Sequence, residues 1–407
     1  MRRRLFLQGG ALVAVGSFLP FWARRAAAEQ GPRGKVLVFL FLRGALDGLH
    51  AVPPVGERRF FDLRPQLAPR PEELLDLGHP GFALHASFEP LLPFWREGSL
   101  AIVHATGSPD GSRSHFDAQD ALELGTPGLK NTPDGWLARS LRETLPADRS
   151  PLDAVAVAAR LPRSLQGAPA AIAFSSLNQL RLHALAGGPA GGKGSAESRA
   201  AFAGLYGSQA DDLVASSGKE AFAALQLLER KLGKGAAPAD ADYPKTPLAP
   251  SLRQLAQLIK ADVGLRVGCV DATGWDTHAA QPARLTNNLR QLAESLAAFQ
   301  RDLGPRARDV VLVAATEFGR TVRQNGANGT DHGHGSVAFV LGPAVRGGAI
   351  YGRWPGLAED QLYEGRDLAV TTDLRSVLAA VAKAQLGVNE AGRIFPGFAG
   401  PPLAGLL

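Results

Sequence analysis

The chain reads as an α/β protein built on a doubly wound, mainly parallel sheet sandwiched by helices. Two observations predict this. Several apolar runs are near-continuous rather than alternating, as in strands covered on both faces. Amphipathic helical patterns lie between them, as in crossover units that join parallel strands. A third observation concerns function. Histidines and carboxylates collect just after three of the apolar runs, where open α/β sheets bind ligands.

The strand runs are Val36–Leu42, 100–105, 152–158, 170–174, 265–270, Val310–Ala315 and 337–341. Helical spacing appears at 219–232 (Phe222, Leu225, Leu228, Leu232), 250–263 (Leu252, Leu255, Leu258, Ile259) and 284–303 (Leu285, Leu289, Leu292, Leu296, Phe299, Leu303). A further helix is expected at Leu374–Leu386, with Thr372 as its cap and Asp373 favourable at the positive end of the helix dipole. Residues 186–194 and 233–250 are rich in Gly, Pro and Ala, and they bound a loop-rich helical insertion over about 186–250.

The N-terminus reads as a processing segment. Arg3-Arg4-Leu5-Phe6-Leu7-Gln8 matches the twin-arginine export pattern, the apolar stretch 9–22 follows, and Ala26-Ala27-Ala28 offers a small-residue cleavage site. The apolar stretch is shorter than the roughly 20 residues a membrane span needs. The expectation is a leader over 1–28 and a single domain over 29–407, carried by the twin-arginine translocase to a periplasmic or secreted location.

The leader accounts for the charge. The whole chain has 44 basic and 38 acidic residues. Arg2, Arg3, Arg4, Arg24 and Arg25 precede Glu29 with no acid among them, so the mature chain has 39 basic residues against 38 acidic, a net of +1. The high pI reflects targeting and gives no support to a nucleic-acid partner. Cys269 is the only cysteine, which excludes an internal disulfide, and its apolar surroundings read as those of a buried inert thiol.

Asp47 follows the first strand between Gly44 and Gly48 and is either a metal carboxylate or a turn residue bonding its own backbone. Asp276 and His278 are two apart, which in extended chain sets both on one side. Carboxylate with imidazole suits zinc, manganese or iron. The alternative is a polar loop in which Asp276 caps the next helix. Glu317 stands at a strand terminus as a candidate ligand. Arg320 has the fork geometry to hold a phosphate or sulfate oxyanion, or forms an ion pair. Asp331, His332 and His334 lie in a glycine-rich loop as further candidates, with Asp331 either a direct ligand or an acceptor that orients a histidine. Ser114 reads as a helix N-cap with Asp117 completing a variant capping box. Ser114 is also a candidate nucleophile, and His115 a candidate ligand or general acid. The chain contains no GxxxxGK[ST] phosphate loop, no GxSxG elbow and no Cys/Ser-x-Pro-x-Arg run.

Five motifs stand in order: Leu40–Leu49 with Arg43-Gly44-Ala45-Leu46-Asp47-Gly48, Ser114-His115-Phe116-Asp117-Ala118-Gln119, Gly274-Trp275-Asp276-Thr277-His278, Glu317-Phe318-Gly319-Arg320-Thr321, and Gly329-Thr330-Asp331-His332-Gly333-His334-Gly335. With the leader, they resemble the bacterial family catalogued as domain of unknown function 1501, across essentially the whole mature chain. That family is similar to the alkaline phosphatase and sulfatase superfamily. The resemblance implies an alkaline-phosphatase-like fold around one or two divalent ions. It makes Asp47 the first-strand metal carboxylate, Asp276 and His278 an Asp/His ligand pair, and His332 or His334 a late histidine. Two departures stand out: one residue rather than three separates Asp276 from His278, and Glu317-Phe318 replaces Asp-His. The function implied is an exported metal-dependent hydrolase acting on a small or polymer-borne phosphate or sulfate ester. The alternative is a non-catalytic exported protein that keeps the fold to bind an exported protein partner or assemble the envelope.

Overall fold

Val36–Leu42 (β1) is buried along its whole length, with Val36, Val38, Leu40 and Leu42 in one apolar core and Leu37, Phe39 and Phe41 in another. Period-2 alternation between two cores is what an interior strand requires. The computed structural model describes residues 34–129, 131–146, 149–177, 213–232 and 239–407. The expected leader and much of the expected insertion lie outside the described residues.

Among the described residues ten further strands follow in chain order: β2 Leu74–Asp76, β3 Ala83–His85, β4 Leu100–Gly107, β5 Ala154–Val157, β6 Ala171–Phe174, β7 Val267–Ala272, β8 Val310–Ala315, β9 Ser336–Leu341, β10 Ala349–Tyr351 and β11 Thr372–Asp373. Nine strands form the central sheet in the order β10-β4-β9-β8-β1-β7-β5-β6, with β11 also on β4, while β2 and β3 pair as a separate hairpin. Every pairing in the sheet is parallel except those of β9 with β4 and β8. The sheet is therefore mixed and mostly parallel, as the unbroken apolar runs predicted.

The main helices are α1 His115–Leu124, α2 Trp136–Glu143, α3 Leu213–Leu232, α4 Ala249–Lys260, α5 Gln281–Leu303 and α6 Leu374–Leu386. The stripe Leu285, Leu289, Leu292, Leu296, Phe299 and Leu303 of α5 packs with Leu252, Leu255 and Leu258 of α4 on one face of the sheet. Trp136, Leu137 and Leu141 of α2 pack with Val377, Leu378 and Val381 of α6 on the other. Each fully buried Leu contributes about 1.5–3 kcal/mol on common transfer scales.

Three caps differ from expectation. Asp373, not Thr372, is the N-cap of α6, its carboxylate accepting from Arg375 N, because the helix begins at Leu374. Ser114 is the N-cap of α1 but makes no side-chain cap bond. Asp276 caps nothing, since α5 begins at Gln281 behind Ala280. Cys269 is free and buried, and burial pushes its thiol well up.

This topology creates the site. The carboxyl ends of β1, β4, β7 and β8 lie on one edge of the sheet. Because β9 runs the other way, its first residue, Ser336, lies beside Thr106 at that same edge. The loop preceding β9 thus meets the loops that follow β1, β7 and β8. Two glycines permit the contact. Gly44 has φ 117, and a Cβ on it would approach Asp276 N to 2.9 Å. A Cβ on Gly329 would collide with the His278 carbonyl.

Candidate metal centre

Asp276, carried by the loop after β7, is the hub. Its Oδ1 lies 2.6 Å from Arg320 Nη2, 3.0 Å from His278 Nε2, 3.3 Å from His332 Nε2 and 3.6 Å from His115 Nε2. Burial opposes ionisation of Asp276, but the Arg320 hydrogen bond and charge, with His278 and His332, hold its carboxyl down at about 2. His115, Asp276 and His332 present ligand atoms all within 4.8 Å of one another. His278 Nε2 stands 2.9 Å from His332 Nε2.

The other nitrogen of each imidazole fixes its tautomer. His115 Nδ1 meets Glu317 Oε1 at 2.8 Å, His278 Nδ1 meets Asp331 Oδ1 at 3.0 Å, and His332 Nδ1 meets the Arg113 carbonyl at 2.8 Å. Ionised carboxylates and carbonyls only accept, so each Nδ1 carries the proton. All three rings then turn Nε2 toward Asp276, and each offers a lone pair there in its neutral form. Two lone pairs 2.9 Å apart repel unless a proton or a cation lies between them. A proton would serve one pair and leave the buried His115 Nε2, which has no hydrogen-bond partner, unsatisfied. One cation would serve all of them. A tetrahedral ion with bonds of about 2.0–2.1 Å separates its ligands by roughly 3.3 Å, close to these spacings. Histidines whose second nitrogen is held by a carboxylate or carbonyl are the usual metal-binding arrangement. The donor set therefore fits a divalent ion of the zinc type.

Glu317 stands behind His115 rather than at the ion position. It is buried, with Oε1 accepting from Gly44 N at 2.8 Å and Gln119 Nε2 at 3.0 Å besides His115, and Oε2 from Thr316 Oγ1 at 2.9 Å. Burial works against its charge, while the His115 and Gln119 hydrogen bonds pull its pKa below the ordinary value. Glu317 in turn raises the pKa of His115. Burial lowers that of His332. The His278 hydrogen bond lowers that of Asp331, which stands behind His278.

Three other expected site residues lie elsewhere or face otherwise. Asp47 is fully buried, its Oδ2 accepting from Arg64 Nη1 at 2.8 Å and Gln281 Nε2 at 2.7 Å and its Oδ1 from His50 N at 3.2 Å. Those bonds make it a structural acceptor and the N-cap of the one-turn helix Gly48–Ala51, because Arg64 neutralises it where an ion would otherwise be needed. His334 stacks on Tyr363 with ring centroids 4.2 Å apart. Arg320 does not face a substrate oxyanion. Its guanidinium is enclosed and spent on protein oxygens.

Arg64, Gln119 and Gln281 are the residues that sequence reasoning missed. Gln119 had a signal, since it lies four residues after His115 on α1 and so on the same helix face. Arg64 and Gln281 had none.

A family model described as protein of unknown function (DUF1501) matches residues 99–395. The chain belongs to that family. The matched span contains His115, Asp276, His278, Glu317, Arg320 and His332, and begins after Asp47. No curated protein matches the chain. Among solved structures, this family member is similar to the C-terminal periplasmic domain of EcEptC from Escherichia coli in complex with Zn, at 8% identity and TM-score 0.35, over 77% of this chain and 74% of that one. It is similar to the lipoteichoic acid synthase LtaP from Listeria monocytogenes, at 8% identity and TM-score 0.35, over 78% and 68%. It is also similar to the PsFucS1 sulfatase from Pseudoalteromonas sp., at 10% identity and TM-score 0.38, over 94% and 74%. Likenesses this remote carry no argument about chemistry, which rests on the side chains above.

Proposed function

We propose that this chain is an exported metal-dependent hydrolase of a phosphate or sulfate ester, in which His115, Asp276 and His332 hold a divalent ion with His278 at its edge. One observation carries the reading: three imidazoles with their Nδ1 protons already engaged turn Nε2 toward a single carboxylate oxygen. A divalent ion bound there would polarise an ester oxygen and lower the pKa of an attacking hydroxyl or water. The chain's own groups prepare that chemistry. Glu317 and the Arg113 carbonyl keep His115 and His332 in the ligating tautomer. His278 has the most exposed side chain of the three imidazoles, 44% against 22% for His115 and 23% for His332. It is placed to pass a proton between solvent and the reacting group, with Asp331 holding its Nδ1–H. Ser114, whose hydroxyl is not used as a cap, is the candidate nucleophile beside His115.

Metal analysis of the purified mature protein tests the reading, followed by a screen of phosphate and sulfate esters with the metal-loaded form. Asp276→Ala and His332→Ala should each abolish tight metal binding, and a folded wild type that binds no divalent ion would overturn the proposal. His278→Ala should keep the metal and lose turnover.

A non-catalytic exported binding protein is the second reading. It is favoured by the closeness of His278 Nε2 to both Asp276 and His332, which would let it close the ion's fourth position. Structural ions are closed in this way, whereas catalytic ones keep a place open. In that case His278→Ala would release the metal, and no ester would be turned over.

Export rests on the leader motif. Among the described residues no helix is long and apolar enough to cross a membrane. Arg3→Lys with Arg4→Lys should hold the protein in the cytoplasm, and exported protein should begin near Glu29.

A further inference from the structure

We infer that this centre takes one divalent ion and no second, because the Arg320 guanidinium permanently occupies the neighbouring cation position. The inference rests on the metal reading above and adds the stoichiometry of the site.

The guanidinium is fully enclosed, with its side chain 0% exposed. Its Nε donates to Ala45 O at 2.8 Å and its Nη1 to Thr330 O at 3.1 Å. Its Nη2 donates to Gly44 O at 2.7 Å, Trp275 O at 3.0 Å and Asp276 Oδ1 at 2.6 Å. The acceptors come from the loop after β1, the loop after β7 and the loop before β9. Oxygen-only donors gathered from several segments are what a hard cation such as calcium uses. Here an arginine satisfies them, and buried carbonyls need such a partner. A planar fork can reach this many acceptors at once, which an ammonium cannot.

Asp276 Oδ1 belongs to both environments. It meets the guanidinium on one side and the three imidazole nitrogens on the other. In two-ion centres the ions lie about 3.5–4 Å apart, close enough for one carboxylate to touch both. In this chain one of the two cations is a guanidinium tethered covalently to the fold. A second divalent ion would find its oxygen donors taken and a fixed positive charge in its place. Gly44 supports the arrangement. Its positive φ and missing Cβ let its carbonyl reach Arg320 while its backbone lies against Asp276 N.

Equilibrium dialysis of the mature protein against excess zinc and calcium, with metals counted per chain by mass spectrometry, tests this. The expected counts are one ion for the wild type and two for Arg320→Ala, with zinc at the imidazoles and calcium among the vacated oxygens. Free guanidinium at millimolar concentration should return the variant to one ion and raise its melting temperature, a response a lost brace alone would not produce in the metal count. Arg320→Lys keeps the charge and should stay at one, which preserves the test if the alanine variant does not fold. Two ions in the wild type or in Arg320→Lys would overturn the inference and leave the metal reading intact. A folded Arg320→Ala that stays at one ion in excess calcium would also overturn it. A wild type with no ion would overturn the metal reading and the inference together.

Discussion

Two carboxylate–histidine clusters stand on the same edge of the sheet and have opposite fates. Around Asp276, three imidazoles turn Nε2 toward one oxygen at a half-exposed mouth. Around Asp47, a fully buried carboxylate is spent on Arg64, Gln281 and a backbone N–H, with His50 neutral beside it. In sequence both are an acid near a histidine after an apolar run. The partners decide between them. Asp47 has an arginine to neutralise it and needs no ion. Around Asp276, three imidazoles have only acceptors behind them and a shared space in front.

The largest effect is expected from Arg64→Ala. It strands the Asp47 charge in the interior and should cost about 3–5 kcal/mol of stability by denaturant titration. The folded fraction should bind metal as the wild type does. Loss of metal from that fraction would join the two clusters into one.

Acid gives the next largest effect. Burial pushes His50 and His104 each down to about 4 from 6.5. The unfolded chain takes up these protons as pH falls through 6.5, while the folded chain refuses them until about 4. Stability is therefore full above pH 6.5 and drains toward pH 4, on the order of 3 kcal/mol per histidine. Denaturant midpoints at pH 7 and pH 5 measure the slope, and His104→Phe should flatten it.

Glu317→Gln sharpens the Asp276 side of the contrast. It keeps an acceptor oxygen for His115 but removes the charge, and should weaken metal affinity 10–100-fold. Binding calorimetry reads this directly. Asp331→Asn should leave metal affinity nearly unchanged, because Asp331 is more than half exposed and supports only His278, which stands at the edge of the ion.

The sheet was legible because burial on two faces leaves a plain signature. The bounds expected for β1 and β8 are those observed, and the apolar runs after residues 100 and 265 differ only at their ends. The short strands β2, β10 and β11 carry too few residues to stand out from loops. In the site, Asp276, His278 and His332 were legible as acids and imidazoles at strand ends. The roles of Asp47 and Arg320 were not, since Asp47 depends on Gln281, 234 positions away, and Arg320 on Gly44, 276 positions away. Nor could spacing reveal that Glu317 sits behind His115. That follows from His115 and Gln119 of α1 meeting Glu317 about 200 positions away, a consequence of tertiary structure alone.

Anomalous scattering from crystals of the mature protein, measured at the edge of its bound metal, would locate the ion. A single peak is expected about 2.0–2.2 Å from His115 Nε2, His332 Nε2 and an Asp276 oxygen, with His278 Nε2 beside it. No peak at that point, or a peak seated on Asp47 instead, would contradict a metal centre at Asp276.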